Sequence, residues 1–189
     1  MIQSGKFDSS NMDIRKLANS VLIFTINRLI EVIATVIFVL GILLLVALIS
    51  YSPNDPNFIF SEKIEIENLL GFYGSYTSDL FLQSIGVILY LIPITYLFTG
   101  ISIFKRKKFF LLIENTFFIV IYSIIGSIFF SLFHKDAFTL FVNGNGGFVG
   151  NYFNNIFFQD FNSDYENFIY FLLIFLIVTF FLVSINFNL

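Results

Sequence analysis

Four long apolar segments, separated by short polar ones, make up most of this chain of 189 residues. A helix needs about 20 mainly apolar residues to cross a hydrocarbon core about 30 Å thick. The segments lack the alternation of apolar and polar residues that is typical of barrel strands, so helices are the expected spanning structure. The pattern predicts four transmembrane helices, at about residues 30–50, 80–104, 109–133 and 168–186.

The predicted fold class is an all-α membrane protein, a bundle of four transmembrane helices with two outer loops. Residues 30–186 form the transmembrane domain and residues 1–29 a cytoplasmic tail. Within the tail, apolar residues in the stretch 13–27 recur at helical spacing. Two interpretations of that stretch stay open, an interfacial helix on the inner leaflet or a cytoplasmic extension of the first span. Residues 1–11 are predicted to be disordered.

Basic residues concentrate on one side of the predicted spans. Eight lie before the first span or between the second and third, whereas the other two loops contain only Lys63 and Lys135. An excess of Lys and Arg in short loops marks the cytoplasmic side. Both termini are therefore predicted to be cytoplasmic, with loops 51–79 and 134–167 outside. The eight residues are Lys6, Arg15, Lys16, Arg28, Lys105, Arg106, Lys107 and Lys108.

Composition excludes several kinds of site. The chain is 57% hydrophobic and contains no cysteine and a single histidine, so neither a thiolate site nor a histidine metal cluster is expected. The net charge of −3 does not indicate nucleic-acid binding. The glycine-rich stretch 144–150 lacks the Gly-Lys-Ser/Thr ending of a phosphate-binding loop and is predicted to shape a turn. No catalytic residue, cofactor or metal ligand is predicted.

Two acidic residues lie in or at the edge of apolar segments. Glu114 is the acidic residue that lies deepest within an apolar segment. A carboxylate inside a membrane is by default a candidate functional site. Because it lies only six residues beyond Lys108, we expect it to reach the inner interface or to pair with a basic residue such as Arg106. Transport of protons or ions is the weaker alternative. Glu31 is predicted to pair with Arg28, three residues before it.

Small residues recur along the third predicted span at a spacing that places them on one helix face. Such a stripe permits close approach of another helix, within the bundle or, less favoured, between subunits. The predicted packing residues are Ser123, Gly126, Ser127 and Ser131. In the second span, Thr95 and Thr99 form a shorter stripe, and Pro93 predicts a kink.

Two strings in the first outer loop resemble the membrane domain of the FtsK/SpoIIIE DNA translocases. They are Leu-Ile-Ser-Tyr-Ser-Pro-Asn-Asp-Pro at residues 48–56 and Asn-Leu-Leu-Gly-Phe-Tyr-Gly at residues 68–74. The string Gly-Phe-x-Gly also recurs in the second outer loop, but four residues are too few to establish a duplicated hairpin. The family-motif residues, all assigned to turns, are Ser50, Tyr51, Ser52, Pro53, Asp55, Pro56, Gly71, Gly74, Gly146, Gly147 and Gly150.

The resemblance implies a four-helix membrane domain of a translocase whose separate hexameric ATPase moves DNA at the division septum. No Walker motif occurs in this chain, so it is not expected to be an enzyme or to bind nucleic acid directly. The implied role is an anchor and scaffold in the bacterial inner membrane, as a homo-oligomer among cell-division membrane proteins at the septum. A small transporter or channel subunit is the alternative, and it requires polar groups along a shared pathway.

Overall fold

The computed structural model describes residues 4–56, 65–135, 142–158 and 165–186, with side chains from residue 14 onwards. All regular structure in these ranges is helical, and four stretches are long and apolar enough to cross a membrane, which confirms the predicted fold class. The elements are α1 (Ser4–Ile49), α2 (Gly71–Ile85), a 3₁₀ segment (Gly86–Tyr90), α3 (Leu91–Arg106), α4 (Phe110–Phe133), α5 (Gly147–Phe157) and α6 (Glu166–Ser184).

The first span belongs to one continuous helix of 46 residues, about 69 Å long at 1.5 Å per residue. No proline or glycine interrupts residues 6–40, so nothing in that stretch stops the helix. The stretch 13–27 is therefore an extension of the first span and not a separate interfacial helix. The predicted disordered tail is wrong from Ser4 onwards, and residues 1–3 lie outside the described ranges.

The second span differs most from the prediction. It begins at Gly71 and not near residue 80, so polar residues that we assigned to the outer loop form the first turns of α2. The helix is then broken by the 3₁₀ segment. Pro93, expected to cause a kink, lies in the first turn of α3, where its missing N–H leaves no helical bond unmade. The break starts instead at Gly86.

The helices form two hairpins of the same design. In the first, α1 packs mainly on α3, and in the second α4 packs on α6. Each hairpin also contains a short helix, α2 or α5, and these two contact each other. Both short helices begin at the glycine of a Gly-Phe-x-Gly string with a positive φ, 62° at Gly71 and 64° at Gly147. The helix α6 is the most exposed span, since only Ile177 and Ser184 among its residues are buried.

Candidate functional site

The turn after α1 is organised around the buried carboxylate of Asp55. One of its oxygens accepts the backbone N–H of Glu67 at 2.8 Å, and the other accepts that of Asn68 at 3.0 Å. Asp55 is 4% exposed, so these charge-assisted bonds are shielded from solvent. Ser52 shapes the turn, because its carbonyl accepts the N–H of Asp55 and its hydroxyl that of Asn54. The carboxylate thereby attaches the entry to α2 onto the end of α1.

Asn68 completes this attachment from the other side. Its side-chain amide donates to the carbonyls of Ala47 and Ser50, at 2.9 and 3.2 Å, which lie at the end of α1. Helix ends leave carbonyls without intrahelical partners, so the amide serves as a cap. The side-chain oxygen of Asn68 accepts the N–H of Leu70. The asparagine thus joins α1 to α2, a role that sequence analysis did not assign to it.

Tyr51 provides a further connection between α1 and α2. Its hydroxyl donates to Asp79 at 3.1 Å, and Gln83 approaches the same carboxylate oxygen at 3.5 Å. Burial, followed by the negative charge of Asp79, raises the pKa of Tyr51 above its usual value, so the residue stays a neutral donor. Pro56 contributes its carbonyl, which accepts the hydroxyl of Ser75 at 2.8 Å. We call residues 50–56 and 67–79 together the first-loop junction.

The predicted turn residues divide between turns and helices. Ser50, Tyr51, Ser52, Pro53, Asp55 and Pro56 follow α1, and Gly146 precedes α5. Gly71 and Gly147 begin the helices α2 and α5 but keep the left-handed backbone of a turn. Gly74 and Gly150 lie within the first helical turns, so assigning these two to turns was wrong. A close contact explains why residue 74 is a glycine, since a Cβ there would lie 2.1 Å from the side-chain oxygen of Asn68.

The break in the second span is completed by the second hairpin. Gly86 has φ 73° and ψ −154°, a conformation that is essentially confined to glycine. The carbonyl of Ile85 accepts the hydroxyl of Ser127 at 2.7 Å, and the N–H of Val87 donates to the carbonyl of Asn145 at 2.9 Å. An unsatisfied backbone group in hydrocarbon costs several kcal/mol, so a broken span requires such partners. We call this contact the second-loop junction.

The small-residue stripe of α4 lies inside this junction. A Cβ on Gly126 would lie 2.3 Å from Cγ1 of Ile88 in the 3₁₀ segment. A Cβ on Gly150 of α5 would lie 2.1 Å from the carbonyl oxygen of Ser127. The stripe therefore admits the 3₁₀ segment and α5 against α4 within one chain. Its members Ser123, Gly126, Ser127 and Ser131 are all buried.

Asparagines extend the second-loop junction across three helices. Ser131 of α4 donates to the side-chain oxygen of Asn151 in α5 at 2.9 Å. The amide of Asn151 donates to the carbonyl of Asn143, whose own amide donates to the carbonyl of Gln83 in α2. Sequence analysis missed these residues. The available signal was the density of asparagine around the glycines of the second loop.

A cluster of neutral polar groups joins α3, α4 and the end of α6. The hydroxyl of Thr95 shares hydrogen bonds with Tyr122 at 3.0 Å and with Ser184 at 3.2 Å. One turn further, Asn115 donates to Thr99 at 2.8 Å and accepts from Asn186 at 3.1 Å. We call these six residues the membrane polar cluster: Thr95, Thr99, Asn115, Tyr122, Ser184 and Asn186. Its two threonines were noted in the sequence, but their partners were not.

Charged residues meet at the other end of the spans. Glu31 pairs with Arg28, which confirms that prediction, and also with Lys107, the left-handed residue that ends α3. Glu114 is exposed on α4, and the salt bridges found among the described residues do not include the expected partner Arg106. The remaining predicted topology residues, Arg15, Lys16, Lys105, Arg106 and Lys108, are all exposed.

The polar side chains of these junctions attach neighbouring helices to each other. In the described ranges, no three His, Cys, Asp or Glu side chains are grouped closely enough to hold a metal ion. The buried groups instead donate to and accept from each other across helices that are distant in sequence. The arrangement holds the two hairpins together as one unit.

The comparisons with known proteins agree with this architecture. The family model described as the 4TM region of DNA translocase FtsK/SpoIIIE matches residues 27–189. The chain belongs to this family. The matched region of the FtsK/SpoIIIE family begins just before the charged end of the first span and contains all four spans, both junctions and the membrane polar cluster.

Curated relatives named DNA translocase FtsK match as well. That of Shewanella oneidensis is 36% identical over 102 residues, which cover 53% of this chain and 11% of the relative. That of Rickettsia prowazekii is 28% identical over 159 residues, covering 82% of this chain and 20% of the relative. The chain thus spans between 10% and 20% of the length of the curated relatives that it matches. No solved structure matches it.

Proposed function

We propose that this chain is the inner-membrane anchor and scaffold module of an FtsK-like DNA translocase. It tethers the translocase at the division septum and promotes its assembly, in cell division and chromosome segregation. The observation that carries the proposal is the match of all four spans to the membrane region of the FtsK/SpoIIIE family. The role needs no chemistry in this chain, which neither acts as an enzyme nor binds nucleic acid directly.

The interior of the bundle supports anchoring over transport. The buried polar residues of the described spans are neutral except for Asp79 of α2, which accepts the hydroxyl of Tyr51. Those of the membrane polar cluster are bonded to each other. A transporter needs polar groups that line a shared pathway. Glu114, the carboxylate that the sequence placed deepest in an apolar segment, is exposed on α4 and faces away from those groups. Bonds between hairpins make a rigid unit, which suits a tether.

The loops suit the proposed partners. The first-loop and second-loop junctions hold α2 and α5 against each other, at the end of the molecule away from Arg28 and residues 105–108. In the proposed role this side faces the membrane proteins of the division septum, and copies of the chain associate through exposed faces of the spans. The basic side faces the cytoplasm, where a motor acts.

A fluorescent fusion tests the proposal. We expect the fused chain to concentrate at the septum of dividing cells, and Glu114→Gln to concentrate there equally. A variant that weakens the second-loop junction, Gly150→Val, is expected to stay in the membrane but lose septal enrichment. Uniform distribution of the unmodified chain, together with a transport defect caused by Glu114→Gln, would refute the anchor and favour a transporter subunit.

A further inference from the structure

The outer surface of the α1–α3 pair contains two hollows at its basic end. The helices approach closely there because Gly100 and Ala34 are small, and a Cβ on Gly100 would lie 2.9 Å from the carbonyl oxygen of Ala34. One hollow, of ≈ 220 Å³, includes Phe38 and Lys105 in its lining. The other, of ≈ 510 Å³, extends along α1. Both are lined by Thr35 and Phe104, so the two hollows adjoin at these residues.

The larger hollow has the length of one membrane leaflet. Its lining runs along one face of α1 from Arg28 to Leu40, about 18 Å at 1.5 Å per residue. Half of a hydrocarbon core about 30 Å thick is about 15 Å. Beyond the charged end its walls are almost wholly aliphatic, with Val32, Val36 and Val39 on α1. Such a groove offers an apolar surface for an extended chain that starts at the basic interface and ends near the midplane.

The width of the hollow favours an acyl chain over a helix. A volume of ≈ 510 Å³ along about 18 Å corresponds to a mean cross-section of about 30 Å². A helix about 10 Å across has a cross-section of about 80 Å², so the hollow admits the side chains of a second helix but not its backbone, whereas an extended acyl chain is narrow enough to lie along it.

The mouths of both hollows are positively charged. Glu31, the acidic residue in the lining of the larger hollow, is already paired with Arg28 and Lys107, which leaves an excess of positive charge around it. The Arg28 side chain remains 60% exposed. Lys105, at the smaller hollow, is exposed and forms no salt bridge with the described residues. An exposed arginine that is paired with Glu31 therefore lies at the larger hollow, and a lysine without a salt bridge among the described residues lies at the smaller one.

We propose that these two hollows together bind one anionic diacyl phospholipid from the leaflet on the basic side. Its phosphate lies near Arg28 and Lys105, one acyl chain lies along the larger hollow, and the first part of the other chain enters the smaller one. The site combines a phosphate-binding pair of cations with two apolar grooves, and this combination selects the charge of the headgroup and the number of chains. The inference is independent of any role in division, because it rests on the surface of α1 and α3.

Native mass spectrometry of the full chain in a neutral detergent tests the site. We expect one retained phosphatidylglycerol per chain, and at least tenfold weaker retention of phosphatidylcholine with the same acyl chains. Lyso-phosphatidylglycerol, with one chain, is expected to bind more weakly than the diacyl lipid. Inorganic phosphate is not expected to compete. Equal retention of the two diacyl lipids, or displacement of phosphatidylglycerol by phosphate, would overturn the proposal.

Variants separate a built site from general surface charge. Lys105→Gln is expected to weaken phosphatidylglycerol retention about fivefold, whereas Lys108→Gln, the same charge change outside the hollows, leaves it unchanged. Val36→Trp, which fills the larger hollow at a half-exposed position, is expected to abolish retention without lowering thermal stability. Equal weakening by Lys105→Gln and Lys108→Gln would show that phosphatidylglycerol retention depends on general surface charge and not on the hollows, which would contradict the proposal. If Val36→Trp instead dissociated an oligomer, the groove would be an interface with a second copy, and the lipid proposal would be wrong.

Discussion

Replacing Gly86 with alanine tests whether tertiary contact builds the break in the second span. The backbone at Gly86, with φ 73° and ψ −154°, costs a non-glycine residue about 1–3 kcal/mol. The added Cβ would also lie 1.9 Å from the carbonyl oxygen of Asn145, so the second loop must move away. That movement breaks the bond from Val87 to Asn145, a loss of about 0.5–1.5 kcal/mol. We expect a total destabilisation of about 1.5–4.5 kcal/mol.

Gly71→Ala is the matched control. Gly71 also has a positive φ, 62°, but nothing lies within 4 Å of a Cβ built there. Its replacement therefore carries only the backbone cost, about 1–2 kcal/mol. The difference between the two variants therefore contains the contact between the second span and the second loop, together with any difference in backbone cost.

Both variants are compared by equilibrium unfolding in mixed micelles with increasing sodium dodecyl sulfate, followed by circular dichroism. We expect Gly86→Ala to unfold at a clearly lower detergent fraction than Gly71→Ala, by the equivalent of at least about 1 kcal/mol. Equal midpoints would refute the reasoning, since they would mean that the second loop does not press on Gly86.

Three further predictions concern the other contacts. Asp55→Asn leaves one of the two N–H groups that donate to Asp55 without an acceptor and is expected to cost about 1–3 kcal/mol in the same assay. The exposed Glu65→Gln is expected to be neutral, and equal midpoints would contradict the role of Asp55. A double-mutant cycle of Thr95→Val and Tyr122→Phe is expected to yield a coupling of about 0.6–1.7 kcal/mol, and additive effects would show that the hydroxyls do not interact. Because the chain has no cysteine, Leu69→Cys and Lys108→Cys each carry a single thiol. We expect an impermeant maleimide to label Leu69→Cys in intact cells and Lys108→Cys only after permeabilisation; the reverse pattern would invert the predicted topology.

The number of spans and the pair Arg28–Glu31 were predictable because they depend on neighbours in sequence. In hydrocarbon the backbone must bond within its own segment, so a long apolar run specifies a helix wherever it occurs. The i,i+3 spacing likewise places Arg28 beside Glu31 on any helix. The first span was predicted to end near residue 50, and α1 ends at Ile49, shortly before Pro53, which restricts the residue before it.

Other features required residues that lie far apart in sequence. The first residues of α2 are polar, and the sequence pattern predicted a loop for them. They are helical in the structure, where Asp55 and Asn68 attach α2 to α1. Pro93 was the stronger local signal for a distortion, but the break lies at Gly86, where Asn145 approaches. Lys107 reaches Glu31 across 76 positions, a contact that no periodicity indicates.

Length and polarity alone thus specify that this chain crosses a membrane four times, because the bilayer imposes the same local condition on every segment. Which span is broken, which glycines admit a neighbouring helix, and which polar groups find partners depend on how the two hairpins approach in space. Thr95 illustrates the difference, since its bond to Ser184 spans 89 positions and exists only once α3 and α6 lie side by side. Packing decides such contacts because their free energy depends on the distance between atoms and not on their spacing along the chain.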